Sequence, residues 1–74
     1  MSENRIKYLN ILAERLTENY HLSAENAHRA VFSSAVEQMM HDDKDAEWQM
    51  HQPVDDAVEE IYCQYKGIKI GNVY

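Results

Sequence analysis

The chain has 74 residues, a formal net charge of −6 and an apolar fraction of 45%. A chain this short buries only about 60% of the surface its unfolded form exposes, which leaves little room for the ~300 Å³ cavity that encloses a small substrate. The apolar share is too high for a disordered segment, no run of about 18 apolar residues offers a membrane span, and 2 Gly and 1 Pro are too few for the tight turns of a sandwich or barrel.

The first element is expected over about 3–20. Ile6, Leu9, Ala13, Leu16 and Tyr20 recur at steps of three and four, so they share one helical face, and Tyr8 and Leu12 widen it. Ile11 falls off that stripe. The helix is expected to end near His21, because Ser23 can cap the next one.

The second element is expected over about 24–41, with Ala27, Val31, Phe32, Ala35 and Met39 as its stripe and Val36 and Met40 beside it. Glu25 in the first turn suits the helix dipole. The short Tyr20-His21-Leu22 link makes the first two helices neighbours in space. By the same stripe His28 projects among Val31, Phe32, Ala35 and Met39, which predicts a packed histidine.

The stretch 41–52 has two readings: an extension of the second helix, or a short helix capped by Asp42 or Asp43 that docks Trp48. The third main element is expected over about 53–66. Pro53 suits a first helical position, Asp55 and Asp56 suit the first turn, and Val54, Ala57, Val58, Ile61, Tyr62 and Tyr65 make a wide apolar face. Gly67 is the expected stop. The tail 67–74 alternates weakly, and a lone strand there would need a second copy of the chain to pair with. The expected fold is all-α: a single domain over 1–74, a small three-helix bundle with an optional short fourth helix and an extended C-terminal tail.

The charge is concentrated. Of 13 acidic residues, Asp42, Asp43, Asp45, Glu47, Asp55, Asp56, Glu59 and Glu60 lie in one window that contains a single base, Lys44. Such a window is either a solvated face that keeps the chain soluble or a docking surface that attracts a basic partner. The same distribution argues against nucleic acid. The first two helices resemble a helix-turn-helix in outline, but the second carries one base, Arg29, beside Glu25 and Glu37, and phosphate binding needs several.

Residues that carry chemistry are scattered. Glu37 with His41, and Glu47 with His51, stand at metal-ligand spacing on a helix, yet there is no HExxH or CxxC, so no metal is expected. Cys63 is the only cysteine and falls among carboxylates, which disfavour a thiolate. No nucleophile has a recognisable base, so no catalytic residue and no cofactor are expected. The aromatics give a better lead. Trp48, Ile11, Met50 and the tail residues Ile68, Ile70, Val73 and Tyr74 are hard to place inside, and apolar groups left exposed together mark a partner surface.

The resulting expectation is a non-catalytic interaction or regulatory module. Its partner-binding residues would be Asp55, Asp56, Glu59 and Glu60 on the acidic face and Trp48, Ile11, Ile68 and Ile70 as apolar anchors. The partner would be another protein, basic in character, with a homodimer as a further option and no membrane contact. A metal- or ligand-binding small protein and a helix-turn-helix-like nucleic-acid binder are the alternatives. The lone cysteine and the lack of a secretory pattern at the N-terminus point to the cytoplasm.

Overall fold

A computed structural model describes residues 2–67 of the chain. The described residues form five helices and no strand: α1 (Glu3–Tyr20), α2 (Ala24–Phe32), α3 (Ala35–Met39), α4 (Asp43–Met50) and α5 (Val54–Lys66). The fold is all-α, and α1, α2 and α5 make a three-helix frame with α3 and α4 inserted between its last two members.

Each helix starts where a short polar side chain replaces a missing backbone partner, except α5. The Ser2 hydroxyl accepts from the Arg5 amide, Ser23 from Asn26, Ser34 from Glu37 and Asp42 from Asp45. Pro53 opens α5 without a side-chain cap, and Asp55 and Asp56 put negative charge in its first turn instead. Two helices end on a left-handed residue. Gly67 at φ 75° closes α5, and His21 at φ 59° closes α1 with its amide donating to the Thr17 carbonyl. Glycine takes that conformation freely, whereas His21 adopts it against a Cβ clash.

The core is one cluster. Leu9, Leu12 and Leu16 of α1 are fully buried against Ala27 and Val31 of α2 and Val58 and Ile61 of α5, and Val36, Met40 and Ala46 close the far end. Burying a Leu side chain is worth about 1.5–3 kcal/mol, so the α1 leucines carry much of the driving force. Tyr20 and Tyr62 stack at 3.9 Å with planes 9° apart and pin the end of α1 to α5.

The second predicted helix is not continuous. The chain turns at Ser33-Ser34, where the Ser33 hydroxyl donates to the Arg29 carbonyl and the buried Ser34 hydroxyl donates to the Val31 carbonyl while capping α3. Serine side chains that bond nearby backbone give the chain an alternative to helix, and here they break it. Residues before and after the break therefore no longer share one stripe. Ala35 is exposed and Met39 half-buried, and His28 is exposed, with its ring stacked on Phe32 at 4.2 Å instead of packed among four apolar neighbours.

The stretch 41–52 forms its own helix, α4, capped by Asp42. It does not dock Trp48. Ala46 and Gln49, three residues apart, face inward, and Trp48 lies about 200° around the helix from Ala46. Ile6 and Tyr65 also stand further out than their stripes suggest, at 42% and 38% exposure.

Candidate functional site

Polar contacts with α1 set the rotation of α4. The Arg5 guanidinium donates to the Met40 carbonyl at 2.9 Å and to Asp43 Oδ1 at 2.7 Å, joining the start of α1 to both ends of the α3–α4 link. Deeper in, the Gln49 side-chain amide donates to the Tyr8 hydroxyl at 3.3 Å, and that hydroxyl donates to the Gln49 carbonyl at 3.4 Å. A buried amide without partners would cost about 1–3 kcal/mol, so this reciprocal pair is satisfied in only one rotation of α4. With Gln49 held inward, its neighbour Trp48 is turned to solvent and is 59% exposed.

A second set of contacts fixes the opposite wall. The Ala35 amide at the start of α3 donates to the Gln64 side chain of α5 at 3.3 Å, so α3 is tied to α5 as well as to α4. Between these three helices lies a groove of about 220 Å³. Met39 comes from α3, Trp48 and Gln49 from α4, and Asp56, Ala57 and Glu60 from α5. The groove thus joins an exposed indole, a thioether and two carboxylates over buried Ala57 and Gln49.

The acidic face of α5 consequently divides into two rows. Asp56 and Glu60, four residues apart, line the groove with Trp48. Asp55 and Glu59 form the adjacent row and turn toward α1: Asp55 reaches Arg15 at 4.0 Å. Glu59 helps raise the pKa of Tyr20 above its ordinary value of 10.0, after the larger effect of partial burial of that ring. Of the residues expected to bind a partner, the structure brings together Trp48, Asp56 and Glu60. Asp55 and Glu59 face elsewhere, Ile11 is 44% exposed on α1 and is absent from the groove lining, and Ile68 and Ile70 lie outside the described residues.

Met39 and Gln49 belong to this surface although neither is legible in the sequence. Apolar spacing places Met39 on a continuous second helix, and Gln49 is a polar residue whose burial depends on Tyr8, 41 positions away. Only the Asp42 cap, which sets the phase of α4, carried a local signal for either.

Other chemistry is sparse. His41 Nε2 meets Glu37 Oε2 at 2.8 Å, so that pair is bonded within itself, and Glu47 and His51 line a shallow pocket with Arg5 and Met50. Among the described residues no three His, Cys, Asp or Glu side chains gather as a metal site. Arg29, the single base of the second predicted helix, is paired with Glu25 at 3.2 Å. Cys63 is half-buried on α5. No described helix is long and apolar enough to cross a membrane.

The fold and groove define a small all-α protein with an aromatic, acidic surface cleft. Comparisons with protein-family models, curated proteins and solved structures find no match, so the cleft is interpreted from its own geometry.

Proposed function

We propose that the chain is a non-catalytic protein-interaction module whose contact surface is the groove of Met39, Trp48, Asp56 and Glu60, and whose partner is a basic protein. The observation that carries this is Trp48. An indole left 59% exposed beside two carboxylates is a poor use of the largest ring in a small core, and a good one at an interface. The surrounding acidic window would attract and orient a basic surface at long range, and the groove would supply short-range contact. The setting we assign is the cytoplasm, where a lone thiol such as Cys63 stays reduced.

The test is capture of a partner on the immobilised protein with elution by salt, run in parallel on variants. Trp48→Ala and the double variant Asp56→Asn/Glu60→Gln should each lose most of the captured protein. Glu14→Gln/Glu18→Gln removes the same charge from the same spacing on α1, where both residues are exposed, and should retain it. Capture that survives both groove variants unchanged would refute the groove as the contact surface.

A further inference from the structure

The groove also indicates what part of a basic partner it takes. At about 220 Å³ it is far too small for a helix, whose diameter with side chains is about 10–12 Å, and it has room for one long side chain. Its chemistry is specific. The face of an indole attracts a cation more strongly than that of any other side-chain ring. Asp56 and Glu60, one turn apart on α5, place two acceptors along one wall, and neither has an ion-pair partner among the described residues. Met39 and Ala57 add apolar surface of the kind that packs a methylene stem.

We infer that the groove binds an arginine side chain presented by a basic segment of the partner protein, with the guanidinium stacked on Trp48 and forked toward Asp56 and Glu60. Arginine is favoured over lysine because its planar, weakly hydrated head stacks on an aromatic face and offers donors in a rigid fork, whereas the lysine ammonium is compact and strongly hydrated. The inference rests on the groove being the contact surface, and it adds the chemistry of the occupant.

Trp48 is the only tryptophan, so its emission reports on the groove directly. Adding a hexa-arginine peptide in low salt should change that emission saturably, and a hexa-lysine peptide should bind about 2- to 5-fold more weakly. With a labelled hexa-arginine peptide followed by anisotropy, Trp48→Ala and Asp56→Asn/Glu60→Gln should each weaken binding several-fold, whereas Glu14→Gln/Glu18→Gln should change it less than about twofold. All four changed residues of the last two variants are surface carboxylates, and Trp48 lies outside the core, so folding is verified by comparing melting curves.

Three results would overturn the assignment: no change in Trp48 emission on peptide addition, equal loss in the groove and α1 charge variants, or lysine binding as tightly as arginine. Should one of them occur while partner capture still depends on Trp48, Asp56 and Glu60, the arginine assignment falls and the interaction surface stands. Should capture be indifferent to the same residues, both fall.

Discussion

At the scale of single residues, the same side-chain type does different work according to what it meets. Tyr8 is buried and hydrogen-bonded to Gln49, and Tyr65 is exposed on the last turns of α5. Tyr20 lies between, half-buried against Tyr62 with Glu59 near enough to disfavour its phenolate. Because the folded chain holds the Tyr20 hydroxyl protonated beyond its ordinary value of 10.0, this contribution to stability is complete below that pH and is lost as pH rises through the raised folded value. Ultraviolet titration of tyrosinate should therefore contain a late-ionising component that Tyr20→Phe removes, and Glu59→Gln should move that component back toward the ordinary range. A titration in which Tyr20→Phe removes an ordinary, early-ionising group would contradict this. The outward turn of Trp48 follows from Gln49 bonding to Tyr8 across 41 positions, and no local pattern announces such a contact.

Helix by helix, legibility tracked the strength of the end signals. α1 and α5 carry long apolar stripes with clear stops at His21 and Gly67, and their observed bounds, Glu3–Tyr20 and Val54–Lys66, follow the expected ones closely. The Ser33-Ser34 break was hidden because apolar residues at helical spacing run straight across it, from Val31 to Ala35 and Met39. Periodicity counts side chains and is blind to a hydroxyl that takes a backbone carbonyl. Ser34 both caps α3 and donates to Val31 at 2.6 Å while buried. Replacing it by alanine should cost about 1–2 kcal/mol, visible as a lower urea midpoint at unchanged slope. Since α3 carries Met39, Ser34→Ala should also weaken peptide binding at the groove. A variant as stable as the parent would show that the turn at Ser33-Ser34 is held by packing alone.

Across the whole molecule, the buried core and the acidic cleft are built from different sets of helices. Leu9, Leu12, Leu16, Val58 and Ile61 build the interior of the three-helix frame, while α3 and α4 sit on its edge, fastened by Arg5, Tyr8 and Gln64. The inserted pair converts part of one face of α5 into a cleft, and it exposes there an indole that the small core does not use. Helical spacing of apolar residues and the scarcity of Gly and Pro predict an all-α chain, and the acidic residues of 42–60 place its negative charge in one window. Which carboxylates of that window lie in the cleft depends on how α5 is turned against α1 and α4, since Asp56 and Glu60 line the cleft while Asp55 and Glu59 face Arg15 and Tyr20.

The most direct measurement is amide and indole chemical-shift mapping of the whole labelled protein as a hexa-arginine peptide is added in low salt. If the cleft is the contact surface, the largest shifts gather on Met39, on Trp48 to Gln52 and on Asp56 to Glu60, with the Trp48 indole N–H among them. Shifts spread evenly over every acidic residue, or centred on Glu14 and Glu18 of α1 with the Trp48 indole unmoved, would contradict it.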